Sequence, residues 1–125
     1  MYKAVLIIAL ALISNLAVAQ EQLQKAFEQE DAAMLASHFD DRVDMYVMNK
    51  DNNYSKKEAV QLMESFFKVH AVHSFKKMHS GASRGQGSNY QIHHLDTDKG
   101  AYRVYIYYNS DSGSKRINEL RIETN

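Results

Sequence analysis

Ser55-Lys56-Lys57-Glu58-Ala59-Val60-Gln61-Leu62-Met63-Glu64-Ser65-Phe66-Phe67-Lys68-Val69-His70 is the stretch on which the architecture turns. Ser55 and Glu58 match a capping box, in which a serine hydroxyl and a glutamate carboxylate each satisfy an amide that a helix start leaves unpaired. Behind the box, Ala59, Leu62, Met63, Phe66, Phe67 and His70 recur at three and four residues, the buried stripe of a helix of about four turns. Such a stripe needs a partner surface, and the flanking sequence supplies a sheet.

Upstream, Val43, Met45 and Val47 alternate with Asp44, Tyr46 and Met48, the two-residue period of a strand, with Asp51-Asn52-Asn53 expected as the turn that ends it. Further upstream, Leu23, Ala26 and Phe27, then Met34, Leu35, His38 and Phe39, return to helical spacing. Asp31 falls between them, where a carboxylate caps a first turn. Two helices are predicted, from about Glu21 to Gln29 and from Ala32 to Phe39. Downstream, alternation is broken near Ser83 to Ser88, Asp96 to Gly100 and Ser110 to Gly113, so four strands in a meander are expected. Tyr90, Ile92, Val104, Ile106, Leu120 and Ile122 hold even positions, which assigns the even face to the core. Gln91, His93, Arg103, Tyr105, Glu119 and Arg121 go to the outer face. Helices, a strand, a long helix and then a meander make an α+β domain whose helices cover one face of a curved antiparallel sheet.

The first nineteen residues read differently. Met1-Tyr2-Lys3 leads into the apolar run Ala4 to Ile13, and Ala17-Val18-Ala19 has the small-x-small pattern accepted by a signal peptidase. The apolar run is about ten residues, half of the roughly 20 a membrane-spanning helix needs. A buried N-terminal helix would show polar residues every turn, and none falls between Ala4 and Ile13. The expected organisation is therefore a signal peptide over 1–19 and a single domain over 20–125. The destination is periplasmic or extracellular, with no membrane insertion after cleavage.

Composition narrows the chemistry. The chain has 125 residues, with 15 basic and 15 acidic side chains, and no run of Lys or Arg exceeds a pair, so no electrostatic footprint for nucleic acid is present. The absence of Cys removes disulfides, thiol nucleophiles and thiolate metal sites. There is no glycine-rich phosphate loop after a strand, no G-x-S-x-G elbow and no helical H-E-x-x-H.

Several stretches resemble a family of secreted bacterial proteins known as domain of unknown function 4783. They are Tyr54-Ser55-Lys56, Phe66-Phe67, Phe75 with His79-Ser80-Gly81, Tyr90-Gln91-Ile92, Tyr102-Arg103-Val104-Tyr105 and Leu120-Arg121-Ile122. The order of elements also resembles the nuclear-transport-factor-2-like cone. The resemblance implies that cone and an exported protein, and it brings no catalytic motif with it.

Among the six histidines, His70 and His73 stand three apart at a helix end, and His93 and His94 are consecutive on a strand and point to opposite faces. His79 shares a face with Phe75 and is expected opposite His94 across the glycine-rich hairpin. With Tyr90 and Tyr102 they form the candidate ligand pocket, around Ile92 and Val104; without a third ligand of fixed position, two hydrogen-bonded histidines are expected there and not a metal site. No cofactor is expected. Arg103, Tyr105 and Tyr107 follow one another on the outer face of a strand, a combination suited to an interface with a protein partner or a second copy. The favoured reading is non-catalytic binding of a small ligand or protein partner. Two alternatives stay open: an isomerase or dehydratase that moves protons inside the cone, which needs a buried carboxylate beside a pocket tyrosine or His79, and a purely structural assembly module.

Overall fold

The computed structural model describes residues 20–82, 89–109 and 116–125. The leader, Ser83 to Ser88 and Ser110 to Gly113 lie outside the described residues. Helix α1 covers residues 20–28, and a tight turn leads to the short α2 at Ala32–Ala36, whose first amide-bearing turn Asp31 caps through Met34 N–H at 3.0 Å. Strand β1 (Phe39–Val47), strand β2 (Lys50–Ser55) and helix α3 (Lys56–Val69) follow. The meander is β3 (Val72–Ala82), β4 (Asn89–Thr97), β5 (Gly100–Asn109) and β6 (Arg116–Thr124).

The six strands form one curved sheet in the order β2-β1-β6-β5-β4-β3. All neighbours are antiparallel except β1 and β6, which run parallel, so the sheet is mixed. Register shifts between Lys77 and His79 in β3 and between Tyr107 and Tyr108 in β5 mark bulges, which bend a sheet and sharpen its twist.

The long helix forms as its sequence dictates. Ser55 accepts from Glu58 N–H at 3.2 Å while the Glu58 carboxylate accepts from Ser55 N–H at 3.0 Å, closing the capping box. Ala59, Leu62, Met63, Phe66 and Phe67 are buried against the sheet. Phe27 of α1 stacks on Phe75 of β3 at 4.1 Å between ring centroids and meets Phe67 edge-on at 5.9 Å, so one ring ties both long helices to the sheet.

Three expectations are corrected. Helix α2 stops at Ala36, and Phe39 is instead the fully buried first residue of β1; the chain is drawn into the sheet where His38 C=O accepts from Ile117 N–H at 2.8 Å. Asp51-Asn52-Asn53 are strand residues opposite Tyr46, Met45 and Asp44, and the reversal falls at Met48 and Asn49, with φ of 54° and 61°. The third correction decides what faces the core. β4 and β5 are joined by Asp98-Lys99 alone, with Thr97 opposite Gly100, and this two-residue turn pairs odd residues with even ones. His93 therefore lies opposite Val104 and Leu95 opposite Tyr102, so the odd residues of β4 face the helices and Tyr90, Ile92 and His94 face away.

Candidate functional site

At one end of the helix-covered face, a cavity of about 320 Å³ opens between α1, the α2–β1 connection and strands β3, β4 and β5. Leu23 supplies apolar wall from α1, and His38 enters from the end of α2. Lys77 and Ser80 project from β3, Gln91 from β4 and Tyr108 from β5. Their convergence follows from register: Lys77 pairs with inward-facing His93, and Ser80 pairs with Gln91, itself opposite the fully buried Ile106. The bulge after Lys77 lets both Lys77 and Ser80 reach this side.

The wall is polar but sparsely satisfied. His38 Nε2 is buried without a hydrogen-bond partner. Burial first, and then the nearby Arg116 guanidinium, hold the His38 imidazole below its ordinary pKa. Arg116 is anchored beside it by donating to Ser37 C=O at 2.9 Å. Burial pushes the Tyr108 phenol up to about 12, so it remains a donor at any physiological pH. Behind the wall, His93 Nε2 meets Gln91 Oε1 at 3.0 Å while its Nδ1 is buried and unpartnered. Burial, with a smaller contribution from Lys77, lowers that imidazole to about 4. Gly81 permits the close crossing at the rim: a Cβ there would stand 2.8 Å from the Tyr90 hydroxyl.

The four residues expected to share a pocket are divided between the two faces. Tyr102 is on the helix side at the opposite end, where its hydroxyl lies 3.0 Å from His70 Nε2. His70 Nδ1 is 2.9 Å from Phe66 C=O, which can only accept, so Nδ1 donates to it and Nε2 accepts the hydrogen bond donated by the Tyr102 hydroxyl. That pair lines a second hollow of about 220 Å³ with Phe66, Tyr46 and Met48. His79 and Tyr90 do meet, at 3.3 Å from Nε2 to hydroxyl, but on the outer face, although Tyr90 also borders the first cavity. His94 is on that outer face further along, opposite Lys76 and Arg103. Residue-by-residue reading missed His38, Lys77, Ser80 and Gln91; the two-residue Asp98-Lys99 turn was the signal that would have turned Gln91 inward.

Arg103, Tyr105 and Tyr107 occupy one face of β5 as expected, Arg103 exposed and both tyrosines half-buried. Tyr107 approaches Tyr90 at 6.2 Å, and across the sheet the Arg121 guanidinium lies 4.8 Å above the Tyr46 ring. Arg121 is flanked by Glu119 at 3.9 Å and Glu123 at 3.5 Å. Among the described residues, no group of three or more His, Asp or Glu is placed to hold a metal ion, and no helix is long and apolar enough to cross a membrane.

A model of the DUF4783 family, a domain of unknown function, matches residues 20–123. A DUF4783 family protein from Bacteroides uniformis is 30% identical, with 84% of this chain and 95% of that one covered at a TM-score of 0.75. At fold level alone, an NTF2-like designed protein aligns with 14% identity and a TM-score of 0.63 over 87% of this chain and 98% of its own. A protein of cystatin-like fold from Nostoc punctiforme aligns with 10% identity and a TM-score of 0.69 over 90% and 76%. No curated protein matches.

Proposed function

Because the chain belongs to the DUF4783 family, whose description assigns no activity, we propose from its site that it is an exported domain binding a small ligand in the cavity of about 320 Å³ without transforming it. The observation that carries this reading is the convergence of polar side chains, with His38 Nε2 buried and unpartnered among them, on a concavity of ligand-binding size. Among the described residues no carboxylate lines that cavity, which favours binding over the isomerase or dehydratase alternative, since that alternative needs a buried carboxylate beside a pocket tyrosine or His79. Export rests on the leader, and the family match starting at residue 20, the residue after Ala19, supports cleavage there. The nuclear-transport-factor-2-like cone is part of the same reading, supported by the likeness to the designed protein.

The test is a fragment mixture screened by ligand-observed NMR against the chain from Gln20 onward. Ser80 is an exposed rim residue on a strand, so Ser80→Trp fills the mouth with a side chain that strands accept. Fragments that bind the wild type and are lost in folded Ser80→Trp support the reading. An absence of hits, or hits indifferent to the tryptophan, overturns it.

The ring-bearing outer face favours a second role, association with another copy of this chain. Arg103 and Arg121 share that face with Glu119 and Glu123, so a two-fold arrangement can set basic groups against acidic ones around the tyrosines.

A further inference from the structure

We infer that the ligand taken by this cavity is a small organic acid, its carboxylate held among Lys77, His38 and Tyr108 and its apolar part against Leu23, a refinement that rests on the binding reading above. Charge is the first ground. The wall contains a lysine and no aspartate or glutamate among the described residues, and Lys77 has no acidic partner there. A second cation, Arg116, stands behind the wall through its bond to Ser37 C=O. All the ion pairs of the described residues lie elsewhere, at His73, Lys99 and Arg121, so the positive potential of Lys77 and Arg116 meets no acidic partner among the described residues. A ligand cation would meet that potential unfavourably, and a neutral ligand would leave it unused.

Donor chemistry is the second ground. The Ser80 hydroxyl, the Asn89 and Gln91 side-chain amides and the Lys77 ammonium bring N–H and O–H groups to the cavity lining, and the Tyr108 hydroxyl, held to Gln91 Oε1 only at 3.5 Å, can turn to join them. Gln91 Oε1, the one strong acceptor whose partners are defined, is already engaged by His93 and approached by the Tyr108 hydroxyl at 3.5 Å. Ionised carboxylates accept several hydrogen bonds and donate none, so they match a wall rich in donors. The His38 nitrogen, neutral near pH 7 because of its lowered pKa, completes the set as a hydrogen-bonding group rather than a charge. Leu23 keeps one side apolar, which suits an acid with a hydrocarbon or aryl body over an inorganic anion.

Three probes of nearly equal shape separate the inference from the reading beneath it: benzoate, benzamide and benzylammonium. Each is titrated to millimolar levels into isotopically labelled protein while the backbone amides of Lys77, Ser80 and Gln91 are followed. Benzoate is expected to bind about fivefold or more tightly than benzamide, with benzylammonium weakest, and added salt should erode the benzoate preference. Lys77 is exposed and its removal leaves the core intact, so in Lys77→Met the benzoate-to-benzamide ratio should fall to near one with the spectrum otherwise unchanged. If benzamide or benzylammonium binds as well as benzoate, or if Lys77→Met keeps the preference, the organic-acid inference is overturned while the cavity remains a binding site. If none of the three moves the cavity amides, both fall.

Discussion

At the residue scale, two buried imidazoles separate stability from pH-independence. His93 stacks on Phe75 at 4.2 Å and has its pKa lowered from 6.5 to about 4, chiefly by burial. As pH falls, the unfolded chain takes up this proton first. The stability is therefore complete above 6.5 and declines across 6.5 to 4, by roughly 3 kcal/mol for this group. His38, shifted in the same direction, adds to the slope. Urea denaturation at several pH values should show that decline in the wild type and a shallower one in His93→Leu; equal slopes would mean that His93 titrates normally in the fold. A simpler residue effect belongs to Ser55, whose hydroxyl is a helix cap: Ser55→Ala should cost about 1 kcal/mol in the same assay. The cap was fully legible in the sequence because both partners lie within four residues. His38 was not: it repeats in phase with Met34 and Leu35 as if on a helix stripe, and only the capture of its carbonyl by β6, a contact distant in sequence, turns it toward the cavity.

At the element scale, the strands whose reading failed are those where hydrophobicity does not distinguish the faces. β4 carries Tyr90 and Ile92 outward and Leu95 inward, because the outer face is itself lined with Tyr105 and Tyr107 and tolerates apolar neighbours. Alternation alone therefore cannot set its phase, and a one-residue slip put the expected pocket residues Tyr90 and His94 on the wrong side, while the bulge after Lys77 turns His79 outward on β3. β2, reading Lys-Asp-Asn-Asn-Tyr-Ser, is an edge strand whose first four residues are exposed and which packs only Tyr54 against the core, so it carries no apolar period and reads as a turn. By contrast α3 and β5, each with one fully buried stripe, were legible. The β1–β2 reversal makes a direct prediction. Asn49 holds a φ of 61°, which asparagine and glycine accept and β-branched residues resist, and its side chain takes the Tyr46 hydroxyl at 3.2 Å. Asn49→Val should destabilise by about 1 to 2 kcal/mol in thermal denaturation, whereas Asn49→Gly should stay within about 0.5. Equal losses for the two would locate the cost in the lost tyrosine bond rather than in the backbone.

At the scale of the whole molecule, the sheet divides the protein into a helix-covered side with the cavity of about 320 Å³ and an open side with Tyr46, Tyr90, Tyr105 and Tyr107. These rings are half-buried by their own neighbours, and the Tyr107 phenol is raised, mainly by burial and next by Glu119. They are thus partly desolvated already, which lowers what a second copy must displace to cover them. Arg121, over the Tyr46 ring, and exposed Arg103 frame the patch, and Glu119 and Glu123 offer the opposite charge on the same surface, the arrangement a two-fold axis exploits because each group meets the other copy's complement. Light scattering of the chain from Gln20 onward should give a dimer mass at high concentration. Truncating aromatics at the centre of such an interface commonly costs about 2 kcal/mol or more each. Tyr105→Ala with Tyr107→Ala should therefore return the monomer mass, with far-UV circular dichroism unchanged. Because Tyr105 lies opposite Ile92 and Arg121 and Tyr107 opposite Tyr90 and Glu119 within the sheet, Arg103→Glu, which reverses an exposed charge and gives up only a surface hydrogen bond to Asn125 Oδ1 at 3.3 Å, serves as the second variant and should weaken the dimer at little cost to stability. A wild type that stays monomeric across the concentration range would leave these tyrosines as a solvated sheet face.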